Sequence, residues 1–569
     1  MSASSESGRS PGSFGPILVA ASIAVFLGLA ELPFAALMAD DLMQVSILER
    51  VSPCTWTGPL DLYTLSDGVP EHVHAMQNAG AFPWFSPPDF KMAFFRPLSS
   101  ALLVLDHALW GLQPVGYRAH GGCWFVVLVV AVGLVLRRLL PGPAGVLALI
   151  VFTVSAIHGS LFWNATRHVV IAGALGMLGL AAHVEWREAG WRAGRVLALL
   201  ALASSLAASE AGLAGFGYLL AYEALAAPGD GRARRRAVAP ALVLLGVYVV
   251  AYDVAGLGAR GGGYVNPLES PVAFLAILPG AWLFLQGALV AGGSADLWLL
   301  RPDLQPAFAL IGGALVLGFA WLLRATWASS SADERRAGRW AIAGTAASVV
   351  PFAGTPIGSR CLVLPMVGGA VAIALVLQHW WTGPRRSRAV SAACITLAVI
   401  HLVVAPVGRL AAPYVLRRML YDRVATAMEQ VDLDAATLAR RRVVVLRAPD
   451  FVLGLHPFFF RVLHRLPMAR SWRTLSWAAA RHRYTRTDSR TLVLDLIDGQ
   501  LEGPTFAVGD TIVLDGLSAT VMARNDAGPI RIRFDFDRPL DDPDLVFLTW
   551  RSDRLQPAIV PPIGEALEP

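Results

Sequence analysis

The sequence predicts an all-α polytopic membrane bundle of about eleven transmembrane helices, followed by an extracytoplasmic C-terminal domain that is α/β or β-rich. Three observations predict it. First, 55% of the 569 residues are hydrophobic, only 15% are charged, and the mean hydropathy is +0.55; a soluble domain carries roughly a quarter charged residues. Second, apolar runs long enough to cross a hydrocarbon core of about 30 Å recur as far as residue 410. Third, the chain after residue 411 changes character, with Val-, Ile- and Phe-rich runs between Gly/Asp turns, such as "RRVVVLRAPD", "TLVLDLIDG", "FAVGDTIVLDG", "PIRIRFDFD" and "LVFLTW".

The net charge of +6 does not point to nucleic acid, because the arginines gather in short loops between apolar runs. Lys91 is the single lysine, and the arginine bias fits a bacterial inner-membrane protein from a GC-rich genome. Cys54, Cys123, Cys361 and Cys394 lie far apart without CxxC or CxxH spacing, so they read as small apolar residues rather than a redox or metal site.

After a cytoplasmic tail over 1–14, candidate spans fall at 15–35, 119–138, 143–162, 168–186, 195–209, 211–227, 238–256, 306–325, 339–354, 361–380 and 388–410. The positive-inside rule places five arginine groups in the cytoplasm: Arg137 with Arg138; Arg187–Arg195; Arg232 with Arg234, Arg235 and Arg236; Arg335 with Arg336 and Arg339; and Arg385 with Arg386 and Arg388. Eleven crossings satisfy all of them and leave the C-terminus outside. The same parity requires the apolar stretch 271–293 to begin and end on one face, as a re-entrant or interfacial pair broken at Pro279 and Gly280. Residues 36–118 form a large outer loop, grouped with the membrane domain 15–410, and residues 411–569 form the outer C-terminal domain.

The candidate functional residues cluster on the outer face. Asp40 and Asp41 follow the first span in "FAALMADDLMQV"; they are a hydrated pair or a general base, and two adjacent acids raise one pKa at the other's expense. Arg96 and Pro97 open "RPLSSALLVLDHALW", whose apolar spacing predicts an amphipathic interfacial helix. His158, Trp163, Asn164, Arg167 and His168 crowd the bend "IHGSLFWNATRHV". Glu210, in "LAASEAGLAGF", is an acid among small residues at membrane depth, which marks a site by default. Arg360, in "GTPIGSRCLVLP", is either an interface anchor or a bidentate phosphate ligand. His72 and His74 in "EHVHAM" are the weak candidates for ligands of a divalent metal, read as lying in a loop; no other cofactor is implied.

Taken in order, the phrases "ADD", "RPLSSALLVLDHALWGLQPVGYR", "IHGSLFWNATRHVV", "ASE" and "SRCLVLP" resemble the GT-C superfamily of membrane glycosyltransferases, in particular its protein O-mannosyltransferase-like branch, over residues 15–410. The resemblance implies transfer of a sugar from a polyprenyl-phosphate donor to a protein or glycan acceptor on the outer face, with inversion. It implies Asp40 or Asp41 as base, and Arg96, His158, Arg167, Glu210 and Arg360 around the donor phosphate. The chain departs from the branch at three points: "IHGS" stands where His-Pro-x-His is usual, "ASE" lacks the lysine that commonly precedes the glutamate, and no tetratricopeptide array follows. Two other readings are a transporter or flippase for lipid-linked substrates, which inverted repeats would favour, and a non-catalytic scaffold of the same fold.

Overall fold

The computed structural model describes residues 12–384, 386–431, 435–501, 506–551 and 554–569, so Arg385 and the first eleven residues of the expected tail lie outside the described residues. The chain divides into two compact units. The first comprises residues 1–36, 94–258 and 264–416, and the second 37–93, 259–263 and 417–569.

The first unit is helical, and seven of the described helices are long and apolar enough to cross a membrane, or eight if the bent pair Pro143–Val154 and Ala156–Phe162 is one span. This is a multi-pass membrane protein. The expectation of about eleven spans is not met on length. The segments expected at 195–209, 211–227 and 339–354 fall on helices Arg192–Ala208, Leu213–Leu225 and Ala332–Ser348, of 17, 13 and 17 residues. At about 1.5 Å per residue the shortest is roughly 20 Å long, well under the hydrocarbon thickness. That helix is shielded from lipid along most of its length, with Ala214, Phe216, Tyr218, Leu219, Ala221 and Tyr222 all buried.

The stretch 271–293 is not a broken pair. It forms one continuous helix, Pro271–Ala291, with Pro279 inside it. Glycine explains its packing: a Cβ on Gly287 would lie 2.4 Å from the Gly312 Cα on helix Gln305–Trp327, so the two backbones cross in near contact.

The arginine groups predicted for the cytoplasm gather at one end of this unit. Arg138 pairs with Glu185 and Arg187 with Glu223, Arg336 pairs with Glu188, and Arg234 donates to the Ala224 carbonyl at 3.1 Å. Helix Gly15–Glu31 starts at the same end, where the Gly12 amide donates to the Arg137 carbonyl.

The second unit carries two large sheets beside a small three-stranded one that contains Thr64–Asp67 and Lys91–Ala93. Six antiparallel strands run in the spatial order Ala566–Leu567, Arg481–Arg486, Thr491–Ile497, Pro529–Phe536, Leu517–Arg524 and Thr511–Leu514. A mixed four-stranded sheet orders Arg554–Pro557, Leu545–Arg551, Arg442–Val445 and Ser471–Thr474. Leu545–Arg551, Arg442–Val445 and Ser471–Thr474 run parallel, and the last two are joined over helix Phe451–Leu463, the helical crossover that parallel pairing requires. All five strand-like runs of the sequence are strands here.

Residues 37–93, expected with the membrane domain, belong to this second unit and contribute to its core. Trp84 and Phe85 are buried with Val444, Leu475, Phe534 and Phe547 in one core. The Trp84 indole N–H donates to the Leu475 carbonyl at 2.9 Å, and its ring stacks near Phe506. Gly80, at φ +83°, lets the chain pass so close to Trp472 that a Cβ would meet its carbonyl oxygen at 2.2 Å.

Candidate functional site

Five of the predicted site residues, Arg96, His158, Arg167, Glu210 and Arg360, belong to the first unit, and Asp40 and Asp41 to the second. Helix direction brings the five to the end opposite the arginine groups. Helix Arg167–Ala189 begins at Arg167 and ends by Arg187, and helix Gly231–Val254 begins at the arginine group and ends by Tyr252.

Arg96 precedes helix Pro97–Trp110, and its Nε donates to Glu210 Oε2 at 2.8 Å. Its Nη1 lies 3.1 Å from His168 Nε2. A guanidinium has only donors, so His168 Nε2 accepts, and the ring proton sits on Nδ1, 2.8 Å from the Ser209 hydroxyl. Tyr252 donates to Glu210 Oε1 at 3.2 Å. Arg96, Glu210, His168, Ser209 and Tyr252 therefore form one polar group, with Arg96 also over the ring of Phe94.

Arg360 differs from the other arginines at this end. It is partly exposed, and among the described residues its guanidinium makes one hydrogen bond, to the Pro356 carbonyl at 2.8 Å, and no ion pair. The neighbouring hydroxyl of Ser359 donates to Asp296 at 2.6 Å.

Behind this group lies a second, sealed one. Arg167 pairs with Asp106 at 2.5 Å, and Asp106 is wholly buried. His120 Nε2 accepts the Trp124 indole N–H, which puts the imidazole proton on Nδ1, donated to the other Asp106 oxygen at 2.5 Å. Glu31, at the end of helix Gly15–Glu31, pairs with Arg118 at 2.5 Å and also with Arg409, all three buried. Ions leave water at such sites only when paired. Arg167, a sequence candidate for the phosphate, is thus neutralised in the interior. His158 is also turned inward: it is fully buried between the rings of Phe125 and Phe152, and its Nε2 donates to the Phe152 carbonyl at 2.8 Å.

Sequence reasoning missed Glu31, Asp106, Arg118 and Arg409. The signal was present, because each is an ionisable residue inside or at the edge of an apolar run. Asp106 was hidden by the amphipathic pattern of its helix. Leu105 and Leu109 are exposed while Ser99, Ser100 and Asp106 are buried, so the polar face turns inward.

In the second unit, Asp40 and Asp41 open helix Asp40–Leu48. Asp41 is buried, and its Oδ2 accepts the Met38 amide at 3.1 Å, whereas Asp40 is half-buried. His72 and His74 lie on helix Pro70–Ala79 rather than in a loop, and residues two apart on a helix do not face each other. His72 bonds Asp67 at 2.6 Å and stacks on Trp56, while His74 bonds the Val513 carbonyl at 2.9 Å. Among the described residues no group of three or more metal-ligating side chains is assembled.

No family model and no curated protein matches the chain. Among solved structures it is similar to ArnT from Cupriavidus metallidurans bound to undecaprenyl phosphate, with TM-score 0.38 and 13% identity over 80% of this chain and 86% of that one. The same protein in the apo state gives TM-score 0.39 and 13% identity, over 79% and 84% of the two chains. The archaeal oligosaccharyltransferase AglB from Archaeoglobus fulgidus, in complex with an inhibitory peptide and a dolichol-phosphate, gives 0.35 and 12%, over 80% and 64%. Likenesses at this level assign neither family nor activity.

Proposed function

We propose that the protein is a GT-C-type membrane glycosyltransferase, similar to the O-mannosyltransferase-like branch, that moves a sugar from a polyprenyl phosphate to an acceptor hydroxyl. The observation that carries the reading is Arg360, a partly exposed cation with no carboxylate partner among the described residues, in the same unit as the Arg96–His168–Glu210 group. A guanidinium with donors to spare suits a phosphate diester, and its charge stabilises the phosphate as it leaves. Arg96, oriented by Glu210 and Tyr252, stands as a second cation near that phosphate. His158 and Arg167 are assigned to the scaffold, since both are buried and engaged.

In this reaction Asp40 takes the proton of the acceptor hydroxyl, whose oxygen attacks the anomeric carbon. The bond from that carbon to the phosphate oxygen breaks, its electrons stay on the phosphate, and configuration inverts. The positive-inside rule supports an extracytoplasmic Arg360 end, and with it an extracytoplasmic acceptor, in a bacterial inner membrane. The test is donor binding to the full chain in nanodiscs, using polyprenyl-phosphate mannose, with Arg360→Ala alongside. Losing a desolvated charge contact to phosphate costs about 2–5 kcal/mol, at least roughly a thirtyfold loss of affinity. Equal affinity for the two proteins would return Arg360 to an interface anchor and remove the support for this site.

A further inference from the structure

The residue immediately before the aspartate pair is strained. Ala39 has φ +50° and ψ −123°, a conformation that L side chains rarely adopt, and it is buried. Such a backbone persists only where its surroundings over-determine it. Ala39 and the helix that follows it belong to the second unit. Helix Asp40–Leu48 packs on helix Phe451–Leu463, and Glu49, just past its end, pairs with Arg465 at 3.3 Å, just past the end of the other helix. The Met38 amide closes back on the Asp41 carboxylate. The rest of 37–93 is fixed to the same body through Trp84, and through Arg473, whose guanidinium donates to the Gln77 carbonyl at 3.0 Å.

We infer that the C-terminal domain aims the base: Ala39 is a positioning residue for Asp40, and helix Phe451–Leu463 is the seat that holds the strained turn. This rests on the reading of Asp40 as base given above. It assigns a role to residues 417–569 that the membrane bundle does not supply. A glycine at position 39 would relax the turn at no steric cost and remove only the Ala39 methyl, leaving the other side chains in place. A purely structural alanine would therefore give a variant at least as stable and fully active, whereas an aiming residue would give a stable variant that reacts slowly.

The experiment uses the full chain in nanodiscs with polyprenyl-phosphate mannose. For Ala39→Gly the expected result is a kcat for sugar transfer lowered about tenfold or more, since a misplacement near 1 Å can cost a hundredfold. The KM for the donor should be unchanged and the melting temperature equal or higher. A wild-type kcat in Ala39→Gly overturns the proposal. The seat is read independently of activity: Phe459→Leu, which loosens the buried centre of helix Phe451–Leu463, should raise amide exchange over residues 40–48 in step with 451–463. Unchanged exchange over 40–48 while 451–463 loosens overturns it too. Asp40→Asn separates the two claims, because full activity there sinks the Asp40 base while the exchange result still judges the seat.

Discussion

Removing the Asp106 carboxylate should be among the most damaging single changes to the bundle. Asp106 is on helix Pro97–Trp110, His120 on Pro114–Leu139 and Arg167 at the start of Arg167–Ala189, so one carboxylate clamps three helices. Its exposure is 0% and that of Arg167 is 4%. Asp106→Ala would strand a buried guanidinium and leave the His120 N–H without its acceptor. Removing one partner of a buried ion pair costs about 3–5 kcal/mol, because the other charge stays behind without compensation. The double variant Asp106→Leu/Arg167→Met removes both charges and should recover about 1–3 kcal/mol of that loss as coupling energy. The assay is a double-mutant cycle on reversible unfolding of the full chain in mixed micelles, with Asp106→Asn as an intermediate that keeps an acceptor for His120. A loss under about 1 kcal/mol for Asp106→Ala, or strict additivity across the cycle, would refute the reasoning, since no buried pair with these burials behaves so.

The two aspartates should separate by role. Asp40→Asn should lower transfer by about 100- to 10,000-fold with donor affinity unchanged, while Asp41→Asn, which weakens the acceptor for the Met38 amide, should chiefly lower stability, by about 1 kcal/mol; transfer at wild-type rate in Asp40→Asn would end the base assignment. The second unit should also weaken in acid. Burial holds His456 and His482 down to about 4, below the ordinary 6.5, so the folded unit keeps both neutral while the unfolded chain takes up protons. The stability this confers is present above pH 6.5 and is lost as pH falls towards about 4. Amide exchange over 451–463 and 481–486, corrected for intrinsic rate, should therefore rise between pH 7 and pH 5, and less so in His456→Phe; flat exchange would remove the assignment.

The sequence alone determined the membrane bundle, the β-rich tail and the crowding of Arg96, Glu210 and Arg360 at the end away from the arginine groups. Each follows from local signals: apolar run length, strand alternation, and the side of the membrane on which arginines collect. Its count of spans exceeds the seven or eight described helices long enough to cross, because hydropathy counts apolar residues and not lipid contact; helix Leu213–Leu225 is apolar through burial inside the bundle and is too short to cross by itself. Pairing was beyond its reach. Arg167 and Arg360 are equally plausible phosphate ligands as letters, and only the fold gives one of them the buried Asp106 and leaves the other, among the described residues, with a single carbonyl. The membership of residues 37–93 was likewise decided by tertiary structure. Trp84 and Leu475 lie almost four hundred residues apart in the chain, and what joins them is burial of apolar area in one core, a long-range effect with no local pattern to announce it.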